Sequence, residues 1–362
     1  MGDDGDSGRY SVAFPRRWWY PTCRSSELTR RPRAVTLMDL PLVLFRDGGG
    51  RARALTDRCP HRNAPLSLGT VHTDGCLECA YHGWRFDGDG RCRAVPGRTT
   101  GDAAAPARDA PGHATREQDG FVWVWGDGAV PPAGDPFALP ELTERGAGEV
   151  VFPCDLDCTL HAALENSLDV PHTAFLHRGL FRGGEPTEIV AVRDEVPGGV
   201  EVQYLGEPIG FGPVRRRPGS GLTFDHWDRF FLPSIAQIEY RVPGWLRIVN
   251  TILHLPLSPF RTRAWFVVRF WTRAPASVVR PVVLARGRQI LRQDARILAA
   301  QNENVRRFGG ERYASTELDL IGNAIWLLLR RAVQAERDGG PAATPGQAEE
   351  PALSHTSVTF TV

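Results

Sequence analysis

The spacing of hydrophobic residues predicts short strands in the first third of the chain. Runs rich in Val, Leu and Phe alternate with Gly, Pro and Asp, a pattern typical of strands joined by turns. The predicted strands cover residues 33–37, 42–45, 53–56, 84–86 and 121–126, with a return strand from Arg91. The last run, Phe-Val-Trp-Val-Trp-Gly, is continuously apolar and indicates a strand buried on both faces. We therefore expect an antiparallel β domain at residues 15–129.

Longer strands and helical periods follow a connector at residues 130–148 that is rich in Pro, Gly and Glu. The predicted strands are 149–152, 189–192, 199–205, 235–242, 246–255 and 264–272. The predicted helices are 160–168, 279–308 and 318–331. Strands in series with helices at the edges predict an α+β domain at residues 149–334. We expect an antiparallel sheet flanked by helices, in a helix-grip-like arrangement.

The two ends of the chain and one internal segment have weaker patterns. We expect residues 1–14 to be a flexible N terminus and residues 335–362 to be a polar C-terminal tail. The last six residues of that tail can add an edge strand. No strand or helix is predicted between residues 205 and 235, a segment that holds several aromatic side chains.

Composition narrows the classes of protein to which the chain can belong. With 42% hydrophobic and 23% charged residues, the chain resembles soluble globular proteins. A net charge of +1 gives no electrostatic case for binding nucleic acid or an anionic membrane. None of the 43 basic residues is a lysine, which excludes nucleotide-binding P-loops, Schiff-base enzymes and lysine general bases.

Neither a membrane span nor a secreted location is expected. No apolar run reaches the ~18 residues of a membrane-spanning helix. The first eight residues lack the apolar segment of a secretory signal. The cysteines show no disulfide framework, which favours a cytoplasmic location.

Two short segments each combine one cysteine with one histidine. Cys59 and His61 lie in the first, and Cys79 and His82 lie in the second, after seventeen intervening residues. Such a set can bind zinc, or a [2Fe–2S] cluster with two cysteines on one iron and two histidines on the other. Mixed pairs favour the cluster, because zinc fingers usually separate cysteine pairs from histidine pairs. Zinc is the alternative. Cys76, which forms a C-x-x-C with Cys79, is interpreted as a strand residue.

A second pair of histidines, His172 and His177, follows the helix predicted at residues 160–168. In a continuous helix, five residues rotate a side chain by about 500°, so these two would point roughly 140° apart. Pro171 is unfavourable inside a helix, and we therefore expect the helix to kink or restart there. Both histidines can then face one metal ion.

Asp294 is the candidate third ligand. It falls on the apolar stripe of the long predicted helix, three residues after Leu291 and four before Leu298; the stripe comprises residues 290, 291, 297, 298 and 305. A buried carboxylate must be paired, protonated or bound to metal. Two histidines and one carboxylate are typical of non-haem Fe(II) sites. The alternative is a core acid paired with a neighbouring arginine, together with two structural histidines.

The two constellations together resemble a known family. The Cys-Pro-His and Cys-Ala-Tyr-His-Gly-Trp segments resemble the cluster-binding motif of Rieske iron–sulfur proteins. The segment Glu-Asn-x-x-Asp-x-x-His-x₄-His, which starts at Glu165, and the later Gln293-Asp294 resemble the catalytic motifs of Rieske non-haem iron oxygenases. The resemblance covers residues 15–310. It is strongest to the branch with vanillate O-demethylase oxygenases and pheophorbide a oxygenase-like proteins.

The resemblance implies which residues hold the cofactors. The cysteines and histidines of the two short segments would hold a Rieske [2Fe–2S] cluster, and His172, His177 and Asp294 would hold a mononuclear Fe(II). Asp169 would bridge a cluster histidine and His172, across the subunits of a homotrimer. The alternative role of Asp169 is a helix cap.

The implied activity is that of the oxygenase component of a multicomponent system. Such a protein uses O₂ and electrons to hydroxylate, O-demethylate or oxidatively cyclise an apolar or aromatic small molecule. The chain has no G-x-G-x-x-G fingerprint and no ferredoxin cysteine spacing, so the electrons must come from an NAD(P)H-dependent reductase or a ferredoxin. The alternative is a Rieske electron-transfer protein without oxygenase activity, which leaves about 200 residues unexplained.

Aromatic residues between positions 205 and 255 predict an apolar substrate pocket. We expect most of them to be core and a minority to face the ligand. His226 and Asp225 are the polar candidates of this region, with a surface role as the alternative. The aromatic residues considered are Phe211, Phe224, Trp227, Phe230, Phe231 and Tyr240.

Overall fold

The computed structural model describes residues 14–98, 105–178, 180, 188–208, 223–339 and 356–361. They fall into two compact units, Arg16–Ala138 and Leu139–Gly339, the second of which includes the strand near the C terminus. The expected flexible N terminus and most of the C-terminal tail lie outside the described residues. None of the described helices has the length and apolar character needed to cross a membrane.

The N-terminal unit consists of short antiparallel strands and three single turns of 3₁₀ helix within its described residues. Its three sheets have the strand orders β1-β11-β10, β2-β3-β4-β9 and β5-β6-β7-β8. The strands are β1 (Trp19–Arg24), β2 (Arg33–Leu37), β3 (Leu40–Arg46), β4 (Ala52–Thr56), β5 (Thr70–Val71), β6 (Leu77–Glu78), β7 (Arg85–Phe86), β8 (Cys92–Ala94), β9 (Gly112–His113), β10 (Thr115–Gln118) and β11 (Phe121–Trp125), and the 3₁₀ turns are Ser25–Glu27, Leu66–Leu68 and Pro106–Arg108.

The core of this unit links the sheets to the two Cys–His segments. Cys59 and Cys79 belong to the same buried cluster as Phe45, Leu55 and Phe86. The strand β11 is buried at all five positions, as its continuous apolar sequence predicts. The cysteines are therefore fixed by packing against strands and not only by their own turns.

The C-terminal unit is built on one antiparallel sheet, with the strand order β12-β18-β17-β16-β15-β14-β13-β19. The strands are β12 (Gly148–Leu156), β13 (Glu188–Val196), β14 (Gly199–Leu205), β15 (Asp225–Phe231), β16 (Ile235–Val242), β17 (Leu246–Ser258), β18 (Arg261–Thr272) and β19 (Thr356–Thr361), and the helices are α1 (Leu160–Leu168), α2 (His172–Leu176), α3 (Ala276–Arg307) and α4 (Gly322–Arg337). The expected α+β class, with an antiparallel sheet flanked by helices, is confirmed.

Helices α1 and α3 cover the part of the sheet that matters for function. Helix α1 contacts strands β15 to β18, and α3 contacts β12 and β18. The contact of α3 depends on Gly287, because a Cβ there would lie 2.9 Å from the ring of Phe152 on β12. Thr159 starts α1, where its hydroxyl accepts a hydrogen bond from the amide of Ala162 at 3.2 Å.

The edge strand β19 and the interior strand β15 test the weaker predictions. The edge strand expected near the C terminus is present as β19, which pairs with β13. Strand β15 was not predicted. Two of its three buried positions are the polar residues His226 and Asp228, so the alternation of apolar and polar residues that identifies a half-buried strand is absent.

Candidate metal centres

The two Cys–His segments fold into turns with the same hydrogen bonds. The amide of each cysteine donates to the carbonyl oxygen five residues later, at 2.9 Å for Cys59 and 2.8 Å for Cys79. The amide four residues later donates back to the cysteine carbonyl oxygen, at 2.9 Å from Asn63 and 3.0 Å from Gly83. Both of these residues have positive φ angles, 61° and 68°, which Asn and Gly tolerate best. Equivalent turns therefore present both thiols to the core.

The two histidines lie beside the thiols and face each other. The ring centroids of His61 and His82 are 4.5 Å apart, and the ring of His61 stacks on Trp84 at 4.7 Å. His61 Nδ1 is buried and has no hydrogen-bond partner among the described residues. Burial raises the pKa of Cys59, which favours the neutral thiol until a metal ion replaces its proton. Two thiols, two imidazoles and one unpartnered nitrogen fit a [2Fe–2S] cluster.

Cys76 lies outside this group of residues. Its amide donates to the Asp74 side chain at 2.9 Å, which closes the turn between β5 and β6. It immediately precedes β6, so the interpretation of Cys76 as a strand residue was wrong by one position. The Asp74 side chain keeps Cys76 in the turn, so the strand begins one residue later than expected.

The chain interrupts its helix where the second pair of histidines begins. Helix α1 ends at Leu168, and Pro171 then precedes the first residue of α2 with φ −55° and ψ −39°. Proline is favourable at the start of a helix because its fixed φ is already helical. The prediction of a kink or a restart is confirmed, and the structure shows a restart. His172 opens this short helix and His177 directly follows it.

The restart brings His172, His177 and Asp294 together. Their ligand atoms all lie within 4.8 Å of one another. Nε2 of His177 is 3.0 Å from Oδ1 of Asp294 and 3.3 Å from Nε2 of His172. Oδ1 of Asp294 is buried and finds no donor of acceptable geometry among the described residues. A divalent cation between these atoms would satisfy all three, so the donor set fits a mononuclear iron.

Asp294 lies on the buried face of helix α3, and this face contains fewer residues than the apolar stripe expected from the sequence. Its buried positions are Leu291, Asp294, Leu298 and Asn302. Ile297 was expected on the stripe but is 49% exposed, because it lies about 100° around the helix from Leu298. Arg292 and Arg296 are exposed, and the described ion pairs of Asp294 are with the two histidines.

Two further residues lie beside the Nδ1 atoms of the histidines. The side-chain oxygen of Gln293 lies 2.8 Å from Nδ1 of His177. Because an amide oxygen only accepts, Nδ1 carries the proton and Nε2 keeps its lone pair for a metal. Asp169 Oδ2 lies 3.4 Å from Nδ1 of His172. No role for Gln293 was expected from the sequence. Its position next to Asp294 in the motif could have indicated that it lies near the metal ligands.

The helix-cap alternative for Asp169 has no support at the next helix. The residue at the N-terminal cap of α2 is Pro171, and no side chain caps that helix. Asp169 instead flanks the C-terminal end of α1, where a carboxylate is unfavourable for the helix dipole. Its contact with His172 is therefore the better explanation for its position.

A cavity of about 320 Å³ lies next to the three candidate iron ligands, which form part of its wall. Most of the remaining wall is apolar and comes from the sheet and from α3. The apolar lining includes Phe152, Ile238, Ile248, Ile252 and Phe266. The volume and the lining are typical of a site for an apolar small molecule.

A minority of the expected aromatic residues line this cavity. Phe224 and Tyr240 do so, with ring centroids 5.5 Å apart. Phe230 is fully buried but is not part of the lining, and Trp227 shares neither the face nor the burial of Phe230. Phe211 lies outside the described residues. Of the five described positions only Phe224 and Phe230 are buried, so the expectation that most would be core was wrong, whereas a minority does line the cavity.

His226 is part of a buried ionic group. Its Nδ1 is 2.6 Å from Glu207 and its Nε2 is 3.0 Å from Asp228. The ring also stacks between Tyr204 at 4.7 Å and Tyr240 at 4.1 Å. Although burial alone would lower the pKa of His226, the two carboxylates raise it to about 9, so the ring is an imidazolium at neutral pH.

Asp225 is not part of this group. Successive residues of a strand point to opposite faces of the sheet, so Asp225 and His226 cannot share a cavity. Asp228, two positions after His226, is the carboxylate on the same face and lines the cavity. The surface alternative was therefore wrong for His226, and Asp228 was the polar residue that the sequence analysis missed.

Stability should fall at alkaline pH because of His226. Its folded pKa of about 9 lies above the ordinary 6.5, so its contribution is complete below about pH 6.5 and is lost as pH rises through 9. We expect thermal unfolding to show a loss on the order of 2 kcal/mol between pH 7 and 9.5. His226→Gln should flatten this slope and the half-exposed control His72→Gln should not. Equal slopes in the wild type and His226→Gln would contradict the assignment.

Comparison with known proteins identifies the class defined by this fold and these sites. The family model described as "Rieske [2Fe-2S] domain" matches residues 18–106, and the family model described as "Vanillate O-demethylase oxygenase C-terminal domain" matches residues 156–336. The chain thus combines a Rieske domain with the C-terminal domain of vanillate O-demethylase oxygenases. It belongs to the vanillate O-demethylase oxygenase family, as the resemblance of its motifs predicted.

Individual relatives agree with this family. The oxygenase component of dicamba O-demethylase from Stenotrophomonas maltophilia is 36% identical over 178 residues, which are 46% of this chain and 49% of that protein. Chlorophyllide a oxygenase from Chlamydomonas reinhardtii is 37% identical over 47% of this chain and 26% of its own length. The chain thus spans about half or less of these two relatives. The vanillate O-demethylase oxygenase subunit of Pseudomonas sp. HR199 is 26% identical over 91% of this chain and 98% of that protein.

Solved structures support the fold. The NdmA protein of Pseudomonas putida CBB5, determined as a mutant with theobromine, has a TM-score of 0.74 and 22% identity. That match covers 90% of this chain and 93% of NdmA. Dicamba monooxygenase bound to 3,6-dichlorosalicylic acid has a TM-score of 0.73 and 24% identity, with coverages of 90% and 99%.

Proposed function

We propose that this protein is the oxygenase component of a multicomponent Rieske system that oxidises an apolar or aromatic small molecule. The observation that carries the proposal is the placement of His172, His177 and Asp294 in the wall of an apolar cavity. When bound, a mononuclear Fe(II) supplies O₂ activation there, and a [2Fe–2S] cluster on the Cys–His turns supplies electrons one at a time. The substrate is hydroxylated, O-demethylated or oxidatively cyclised.

The residues of this chain orient the metals and exclude water. Gln293 and Asp169 set the orientation of His177 and His172, so that each Nε2 faces the metal position. The isoleucines and phenylalanines of the cavity keep water from the reacting group. The functional domains would be residues 15–129 and 149–334.

An electron-donating partner completes the proposed system. The relatives from Stenotrophomonas maltophilia and Pseudomonas sp. HR199 are named as an oxygenase component and an oxygenase subunit. These names support an NAD(P)H-dependent reductase or a ferredoxin as the electron donor. We propose a homotrimer in the cytoplasm, in which Asp169 links the cluster of one subunit to the iron of another. All seven cysteines are free, in agreement with a reducing compartment.

A pure electron carrier is the competing function. An electron carrier would need only the Cys–His turns. That function gives no reason for two histidines and a buried carboxylate to lie together in the wall of a cavity. A zinc-stabilised protein would also leave that cavity without a role. Both alternatives therefore explain less of the C-terminal unit.

Metal analysis tests the proposed function directly. Anaerobically purified protein should contain about three irons and about two acid-labile sulfides per chain, with the red-brown colour of a Rieske cluster. About two irons and two sulfides, unchanged after addition of Fe(II), would indicate an electron carrier. Zinc without sulfide would contradict the oxygenase function.

A further inference from the structure

Asn250 is a polar side chain in the mostly apolar wall of the cavity. It lines the cavity, and its Oδ1 is enclosed and accepts no hydrogen bond from the described residues. Its cross-strand neighbours are Ile238 on β16 and Val268 on β18. An amide surrounded by aliphatic side chains destabilises a fold when it is unpaired. A ligand that supplies the missing partner would explain its presence.

The same face of the sheet carries carboxylates within reach of a small ligand. Asp228 is in the same cross-strand row, opposite Ile238, which is itself opposite Asn250. Because neighbouring strands are about 4.8 Å apart, Asp228 and Asn250 are separated by roughly 10 Å. Glu207 also lines the cavity. A ring-sized molecule against this row would contact both the carboxylate and the amide.

The charges of this wall favour a donor over an anion. Glu207 and Asp228 share one imidazolium, His226, so these three residues carry a formal charge of −1 at neutral pH. The one arginine of the described lining, Arg286, is exposed. A substrate carboxylate at this wall would be repelled, whereas an N–H or O–H group would meet acceptors.

We propose that the substrate is an apolar, ring-containing molecule that presents an N–H or O–H donor, neutral or cationic, to Asn250 and Asp228 and has no free carboxylate. This inference rests on the proposed function, because it assigns the cavity beside the candidate iron ligands to the substrate. It makes Asn250 a residue that determines specificity and leaves the metal ligands unchanged.

Three matched probes test the inference with iron-loaded protein. Equilibrium dialysis would measure binding of indole, 1-methylindole and indole-3-carboxylate. The wild type should bind indole about tenfold more tightly than 1-methylindole, which has no donor. Indole-3-carboxylate should bind most weakly of the three because it is an anion.

Two variants separate recognition from folding. Asn250→Leu should bind indole and 1-methylindole equally, and its Tm should equal or exceed that of the wild type, because leucine suits the apolar wall. A merely structural asparagine would instead lower the Tm when replaced. Asn304→Leu, an exposed position on α3, is the matched control and should keep the wild-type preference.

Each other outcome overturns the inference. These outcomes are equal binding of the three probes, no binding of any probe, tightest binding of the carboxylate, or an unchanged preference in Asn250→Leu. Iron and sulfide in the same samples distinguish this failure from failure of the proposed function. If the wild-type protein contains the cluster and the mononuclear iron but does not prefer indole, only the proposed substrate class is refuted. If the wild-type protein lacks the mononuclear iron, the proposed oxygenase function is refuted.

Discussion

Replacing Asp294 by alanine is expected to remove the mononuclear iron and to leave the cluster in place. The content should fall from about three to about two irons per chain, with about two sulfides in both proteins. Asp294 supplies the one negative charge among the three ligands, and its Oδ1 lies 3.0 Å from His177 Nε2. Two neutral imidazoles alone bind Fe(II) far more weakly than a site with a carboxylate.

Thermal unfolding gives a second measurement of the same substitution. Added Fe(II) should raise the Tm of the wild type, since a ligand that binds the folded state stabilises it, and should not raise that of Asp294→Ala. Glu303→Ala is the matched control, because Glu303 is an exposed acid on the same helix. Unchanged iron content in Asp294→Ala would refute the ligand assignment.

The sequence predicted the elements whose patterns follow one simple rule. The helix at 160–168 and the strands at 199–205 and 235–242 have the bounds observed for α1, β14 and β16. Each has the periodicity of its element, which depends on one buried face. The break at Pro171 was predictable for a similar reason, because proline restricts the backbone independently of the rest of the fold.

The sequence did not predict features that depend on distant partners. His226 and Asp228 make β15 look polar, and their burial is possible only because Glu207, from another segment, completes the ionic group. Asn250 is inconspicuous in the sequence, since an asparagine between aliphatic residues of a strand is usually taken for a surface position. Only the register of β16, β17 and β18 shows that its neighbours form a cavity wall.

The candidate site was predictable where motif and geometry agreed. The four cluster residues and the three candidate iron ligands are brought together by elements that the sequence indicated. The contact of Gln293 with His177 was not predicted, because the two residues are 116 positions apart in the chain and only the fold brings them together. Residues that orient metal ligands are therefore harder to find from sequence than the ligands themselves.

Replacing Asp169 by asparagine is expected to keep both metals and to abolish coupled turnover. Asp169 Oδ2 lies 3.4 Å from His172 Nδ1, within ion-pair distance, and a carboxylate placed there increases the basicity of the other ring nitrogen. An amide has nearly the same shape but no charge. By the family resemblance, the same carboxylate also links His172 to a cluster histidine, so the substitution should slow electron transfer to the iron.

Two measurements separate this role from metal binding. Iron and sulfide contents should equal those of the wild type, while substrate oxidation with a reductase should fall by at least about 100-fold, near the upper range for groups that orient metal ligands. Reoxidation of a pre-reduced cluster by O₂ and substrate should slow in parallel. Asp157→Asn, at a side chain 72% exposed, is the matched control and should behave as wild type. An Asp169→Asn protein with wild-type turnover would exclude the bridge, because no other carboxylate of the described residues forms an ion pair with His172 Nδ1.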